Sequence, residues 1–219
     1  MQKISRALIS VSDKEGILEL ARALHSNGVE IIASDGTADY LRQHSIEVRT
    51  VSELTGAPEL LGGKVKTLHP AIHAAILVNR QDQKEMSSLG DTAPIDAVIV
   101  NLYPQPGFDI GGPALIRAAA KNADFVSVIT SPHQYQTFIE LLPNGITSEH
   151  RQQWAHQALV MTAAYDLALA ADRGKKLRYG ENPHQNASLL VGVANTGVAA
   201  SRIIQGKEMS FNRSEERRV

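Results

Sequence analysis

Short apolar runs alternate along the chain with stretches whose apolar residues recur every three or four positions. Ala7–Val11 predicts a buried strand, and Ile17, Leu20, Ala21 and Leu24 predict a helix that runs on from Lys14 and stops at Gly28. Val29–Ala33 predicts a second strand, Ser34-Asp35-Gly36 a turn, and the residues from Thr37 a helix carrying Leu41. Glu47–Val51, Ala97–Asn101 and Phe125–Ile129 predict further strands, with helices over Ala71–Val78, Pro113–Lys121 and Gln134–Leu142. This alternation implies an α/β fold, a mainly parallel sheet with helices on both faces. Sheets of this kind take ligands at the carboxyl ends of their strands.

From Ser148 to Ala171 the pattern changes. Trp154, Ala158, Met161, Tyr165 and Ala168 mark one face of a long helix, either packing against the domain or meeting a second copy. After Ala171 the composition shifts again: Asp172–Lys176 reads as a linker, Leu177–Gln185 as a polar segment, and Ser188–Val193 as a strand. Phe211–Val219 carries three arginines and two glutamates with no core pattern, and is expected to be frayed or extended. The expected division is one α/β domain over 1–171 and a separate segment over 172–219.

Composition narrows the function. With 219 residues and 43% hydrophobic content the chain can bury a substantial core. Its 22 Lys+Arg against 23 Asp+Glu leave no global basic field for nucleic acid or an acidic membrane. Aromatic residues at 5% argue against a stacking platform for single-stranded nucleic acid. Zero cysteines exclude disulfides, thiolate nucleophiles and Cys-ligated metals. No apolar stretch approaches the roughly 20 residues of a membrane helix, and no signal-peptide core is present, so a soluble cytoplasmic protein is expected.

Five segments carry candidate chemistry. Ser10-Val11-Ser12-Asp13-Lys14 follows the first strand; Ser12 with Glu15 spells a capping box, while the hydroxyls, the lysine and helix-start N–H groups equally suit an anion. Ser34-Asp35-Gly36-Thr37 is a second such turn; the turn alone accounts for Gly36, while two such turns on successive strands could converge on one phosphate. Gly62–Pro70 crowds Lys64 and Lys66 ahead of Thr67, which suits a phosphate clamp or the reacting end of a substrate. His69 and His73 lie one helical turn apart, but no neighbouring carboxylate completes a metal set. Asn101-Leu102-Tyr103-Pro104 offers a tyrosine able to move a proton if a cation lowers its pKa from about 10. Asp109-Ile110-Gly111-Gly112 opens a helix, where Asp109 either caps or orients a donor, and Lys121 at the far end complements the helix dipole.

Taken in order, S-V-S-D-K-E-G, A-S-D-G-T, L-G-G-K-V-K-T-L-H-P-A-I-H-A, N-L-Y-P and D-I-G-G-P-A-L-I-R-A-A-A-K-N closely resemble the IMP cyclohydrolase domain of the PurH family of bifunctional purine-biosynthesis enzymes. The later L-R-Y-G-E-N-P-H-Q resembles the opening of that family's AICAR transformylase domain, and the resemblance runs from about Arg6 to Lys207. It implies a methylglyoxal-synthase-like α/β domain in a homodimer, with a small nucleotide as substrate and no nucleic acid or membrane partner. The implied reaction closes the purine ring of 5-formamidoimidazole-4-carboxamide ribonucleotide to IMP with loss of water, with no metal or organic cofactor. By motif position Ser12, Lys14, Ser34, Gly36 and Thr37 would cradle the 5′-phosphate with Lys64 contributing, and Ser10 and Gly111 would also bind the substrate. Lys66, Thr67, Asn101, Tyr103, Asp109 and Lys121 would surround the reacting carboxamide and formamide. Within that set Tyr103 would move protons with Lys121 lowering its pKa, Lys66 would stabilise oxyanion charge, and Asp109 would orient the amide.

The match departs from the family in places. Only Gln105-Pro106-Gly107-Phe108 separates N-L-Y-P from Asp109, where relatives have a longer acidic segment, and Phe108 replaces an isoleucine. Lys64 stands where arginine is common and lacks its bidentate fork. Asp35 puts a carboxylate beside a phosphate site, and Ser214–Val219 departs from the family altogether. The transformylase half needs several hundred more residues, so the chain reads as C-terminally truncated, and formyl transfer from 10-formyl-tetrahydrofolate is not expected. Two rival readings share the fold: methylglyoxal synthase, and a nucleotide-binding regulatory module or degenerate enzyme that binds without turnover.

Overall fold

A computed structural model of the chain describes residues 1–58, 61–63, 65–90, 92–103, 107–190 and 204. Two compact units emerge, Met1–Thr162 and Ala163–Val219.

In the first unit the elements run β1 (Arg6–Val11), α1 (Ile17–Ser26), β2 (Glu30–Ala33), α2 (Asp35–Gln43), β3 (Arg49–Thr50), α3 (Val51–Thr55), α4 (Pro70–Leu77), α5 (Gln83–Ser88), β4 (Ala97–Asn101), α6 (Gly111–Lys121), β5 (Ser127–Ile129) and α7 (Tyr135–Leu141). A long helix, α8 (Ser148–Arg173), carries the boundary between the units. The sheet is parallel throughout, in the order β3-β2-β1-β4-β5.

Successive strand residues point to opposite faces, and this alternation sorts the core into two clusters. Ala7, Ile9, Ile31, Ala33, Ala97 and Ile99 pack with Ile17, Leu20 and Leu24 of α1 and Phe138 of α7. Leu8, Ile32, Val98 and Val100 point the other way, toward Ile72 and Ile76 of α4 and Leu115, Ile116 and Ala119 of α6. Strands buried on both faces read as continuous apolar runs, which is why A-L-I-S-V and A-V-I-V are so plain in the sequence. Trp154 of α8 meets Phe138 edge-on at 5.7 Å, so the packing role expected for this helix holds in the first unit.

Several boundaries differ from expectation for local reasons. The Ser12–Glu15 capping box does not form: α1 begins at Ile17 behind Gly16 (φ 67°), and the Glu15 N–H donates to Asp13 Oδ1 at 3.0 Å. Gly16 needs its positive φ, and a Cβ there would also lie 3.1 Å from the Tyr135 ring. Gly36 lies inside α2 and not in a turn before it, because Ser34 is the extended N-cap and its carbonyl accepts from Thr37 and Ala38 N–H. The Glu47–Val51 strand shrinks to two residues. Thr50 and Glu53 form a reciprocal capping box (3.0 and 2.7 Å) that turns Val51 into a helix. Phe125 and Val126 donate back to Asn122, delaying β5 to Ser127. Helix α5 was not expected at all: it buries no residue and rests on its Asp82 cap, so it has no apolar period to read.

In the second unit, the expected linker supplies the end of α8 and a strand, β6 (Lys175–Lys176), antiparallel to β7 (Ser188–Leu189). Leu169 is buried here and Ala168 exposed, so the stripe expected through Ala168 shifts by one residue. The rest of the Ser188–Val193 expectation and the Phe211–Val219 tail lie outside the described residues. Among the described residues no helix is long and apolar enough to cross a membrane.

Candidate functional site

Strand β1 lies between β2 and β4, so the chain leaves the carboxyl ends of these neighbours in different directions and opens a crevice there. A cavity of about 560 Å³ occupies it, within the usual range for small-molecule sites. Twelve of the fourteen residues expected from the motifs line it: Ser10, Ser12, Lys14, Ser34, Gly36, Thr37, Lys66, Thr67, Asn101, Tyr103, Asp109 and Gly111. Lys64 lies outside the described residues, as do Pro104, Gln105 and Pro106 of the short segment before Asp109.

Hydroxyls and one ammonium form one end. Ser10 Oγ donates to Ser34 Oγ at 3.2 Å, Ser34 Oγ to Thr37 Oγ1 at 3.4 Å, and Thr37 is almost fully buried. Lys14 Nζ donates to Thr37 Oγ1 at 3.2 Å and to the Val11 carbonyl. Ser34 Oγ caps no backbone N–H of α2, and a Cβ on Gly36 would meet only open space, so this helix start is approachable by a ligand. Clustered donors at a helix N-terminus beside an ammonium suit an anion.

Burial lowers the pKa of Lys14 from its usual 10.5, and the nearby Asp13 opposes the shift. Since the unfolded chain then holds this proton more tightly, stability rises with pH between the lowered value and 10.5. An anion bound beside Lys14 favours the ammonium form. Phosphate binding at alkaline pH, where the phosphate is already dianionic, is therefore expected to take up protons. Calorimetry in buffers of different ionisation enthalpy reads the uptake directly, and Lys14→Met should abolish it. Uptake unchanged in that variant would remove Lys14 from the anion site.

The opposite wall is built on the segment after β4 and the start of α6. Asp109 is buried, and its Oδ1 accepts from the Gly112 N–H at 2.8 Å, so it caps α6. A Cβ on Gly111 would lie 2.6 Å from Thr67 Oγ1, which shows how closely α6 approaches the Thr67 segment. A Cβ on Gly112 would lie 2.5 Å from Asp109 Oδ2 and 2.7 Å from Leu102 Cδ2. Gly112→Ala is thus expected to displace Asp109 and cost about 1–3 kcal/mol by overpacking, measurable by urea denaturation. Tyr103, Phe108 and Ile110 form an exposed apolar lip to the same cavity.

Two expected roles change with the geometry. Asn101 spends its amide on the β1–α1 turn: Oδ1 accepts from Ser12 N–H (2.5 Å) and Asp13 N–H (3.1 Å), and Nδ2 donates to the Asp13 carbonyl (2.8 Å). It lines the cavity but holds the turn, and the Ser12 and Asp13 N–H groups face Asn101. Lys121 is not brought to the cavity. It sits exposed in the last turn of α6, ten residues from Gly111 and so about 15 Å along the axis. Asn122 beside it donates to the Ile76 and Val78 carbonyls (2.7 and 3.1 Å), tying α6 to α4, a role that its sequence neighbourhood does not announce. His69 Nδ1 accepts from Ala71 N–H at 3.2 Å as the N-cap of α4, and burial lowers the pKa of His73. Among the described residues no group of three or more His, Asp or Glu could hold a metal ion.

A parallel sheet with an anion-ready crevice at the β1/β4 switch defines an MGS-like α/β domain, and the MGS-like domain family matches residues 16–130. The AICARFT/IMPCHase bienzyme family matches residues 119–216. Curated relatives named bifunctional purine biosynthesis protein PurH are 41% identical in Sinorhizobium fredii, over 96% of this chain and 46% of the relative. In Aquifex aeolicus the figures are 43%, 94% and 48%. The solved structure described as the crystal structure of ForH matches with a TM-score of 0.68 and 35% identity, over 77% of this chain and 98% of that one. The chain belongs to the MGS-like domain family and is similar to PurH proteins along nearly all of its own length, and it spans about half the length of the curated relatives it matches.

Proposed function

We propose that this chain is an IMP cyclohydrolase. The observation that carries the reading is the union, in one cavity of about 560 Å³, of a hydroxyl-and-ammonium cradle with Lys66, Thr67, Tyr103 and Asp109. A phosphorylated ribonucleotide is dianionic at one end and planar and polar at the other, and the cavity offers both environments.

In the proposed reaction the carboxamide nitrogen attacks the formamide carbon. A new C–N bond forms, the nitrogen loses a proton, and the formyl oxygen gains negative charge. That oxygen is then protonated and leaves as water while the former formamide nitrogen gives up its proton, completing the ring. An amide nitrogen is a poor nucleophile, so the proton must leave as the bond forms, a task for Tyr103. Lys66 meets the developing oxyanion. Asp109, fixed on the α6 start, holds the amide in line, and anchoring the phosphate keeps both reacting groups of the one molecule in register. The ammonium groups that share the cavity with Tyr103 among its described lining residues are Lys14 and Lys66, so Lys121 is given no part in this scheme.

The direct test is incubation with 5-formamidoimidazole-4-carboxamide ribonucleotide while IMP formation is followed by ultraviolet absorbance. Catalysed appearance of IMP supports the reading. Binding of the nucleotide without turnover would replace it with a binding module. Tyr103→Phe should lower kcat by about 10²-fold or more, and a wild-type rate in that variant would remove Tyr103 from the proton transfers.

A further inference from the structure

Asp35 is a carboxylate at the edge of a site otherwise furnished for an anion. It opens α2, whose next two residues, Gly36 and Thr37, line the cavity, while Asp35 itself does not. Its Oδ2 lies 3.1 Å from Lys66 Nζ, and the two side chains are 27% and 21% exposed. A pair this sheltered is less screened than a surface pair. Asp35 is also well anchored: a carboxylate is favoured in the first turn of a helix, and Thr37 and Ala38 beside it are buried. Lys66, by contrast, sits on an irregular segment between Gly63 and α4, with no regular element to fix its side chain.

The structure assigns Asp35 the role of positioning residue for Lys66. The carboxylate stands behind the ammonium, steadies it on the cavity wall and keeps it protonated. Its own charge is thereby compensated and does not repel the phosphate. Lys66 is left as a donor for the reacting end of the substrate, and phosphate attraction falls to Lys14 and the start of α2. Among the described residues, the charged and titratable groups that pair with Lys66 or share the cavity with it are Asp35 from α2, Lys14 from the β1–α1 turn, and Tyr103 and Asp109 from either side of the segment before α6. Asp35 is paired with Lys66 at 3.1 Å.

The catalytic part of this role rests on the cyclohydrolase reading; the pairing itself does not. Asp35→Asn is close to isosteric, and two measurements separate the questions. Competitive acetylation with acetic anhydride, read by peptide mass mapping across pH, reports the free-amine fraction of Lys66 without any turnover, with Lys14 as internal comparison. Asp35→Asn should raise Lys66 reactivity severalfold at pH 8 and leave that of Lys14 nearly unchanged. In the ring-closure assay the same variant should lose kcat by about 10- to 100-fold through misplacement of Lys66, with KM little changed. Its alkaline limb should move to lower pH, and Asp35→Glu should recover part of the loss. Unaltered Lys66 reactivity would overturn the proposal, as would a fall in kcat with the alkaline limb in place, since that is what a merely structural Asp35 would give. Failure of the wild-type chain to form IMP would defeat the cyclohydrolase reading and leave the labelling result to decide the pairing alone.

Discussion

Lys66→Met is expected to slow ring closure by about 10²–10³-fold, the usual cost of removing one fixed donor from a developing oxyanion. The effect should fall on kcat. The anion cradle of Ser10, Ser34, Thr37 and Lys14 is built on β1, β2 and α2, and its Ser10–Ser34, Ser34–Thr37 and Lys14–Thr37 hydrogen bonds do not involve Lys66. Nucleotide affinity, measured by calorimetry with IMP, should therefore change much less than the rate. Lys66→Arg should recover only part of the activity, because a planar guanidinium cannot occupy the point position that an ammonium holds against Asp35. A variant with normal kcat and sharply weakened IMP binding would show that Lys66 belongs to the phosphate end, and the division of the cavity argued above would reverse.

The second large effect lies at the opposite end of the sheet. Asp96, just ahead of β4, is almost buried and accepts from Ser5 N–H (2.7 Å), Arg6 N–H (2.9 Å) and Arg80 (2.5 Å). Arg80 in turn donates to the Ile95 carbonyl (2.9 Å) and lies over the Phe125 ring at 5.7 Å. One carboxylate thus joins the approach to β1, the approach to β4 and the loop after α4. Asp96→Ala would leave a sheltered guanidinium and two backbone donors without their acceptor. Loss of one partner from a buried pair costs about 3–5 kcal/mol. Urea and thermal unfolding should show that loss, while the folded fraction keeps its kcat, since Asp96 does not touch the cavity. A destabilisation under 1 kcal/mol would mean that water replaces the carboxylate.

Legibility followed physical range. The strands β1, β2 and β4 were plain because burial on both faces writes an unbroken apolar run, and α1 and α6 were plain because one buried face writes a period of 3–4. Helix α5 was invisible for the complementary reason, having no buried face. Motif reading located nearly all of the cavity wall, since anion cradles sit where strands end and helices begin. It went astray where one residue type serves two purposes. Ser12 and Glu15 spell a cap, but Gly16 starts α1 later and Ser12 turns to the cavity. Asn101 suits a ligand contact, yet its amide matches the backbone of residues 12 and 13, 88 or more positions away, and no local pattern announces such a partner.

The sequence by itself determined the α/β class, the approximate elements, the family and the residues that line the crevice. These depend on side-chain periodicity and on short motifs, both carried by neighbours along the chain. Only the tertiary structure decided how those residues divide the work: Asp35 behind Lys66, Asn101 on the β1–α1 turn, Asp109 on the start of α6, and Lys121 apart from them all. Pairings of this kind arise because the sheet order sets β1 between β2 and β4 and brings residues 10–14, 34–37, 66–67, 101–103 and 108–112 to one end of it. Charges separated by 31 residues meet at 3.1 Å only after that topology exists.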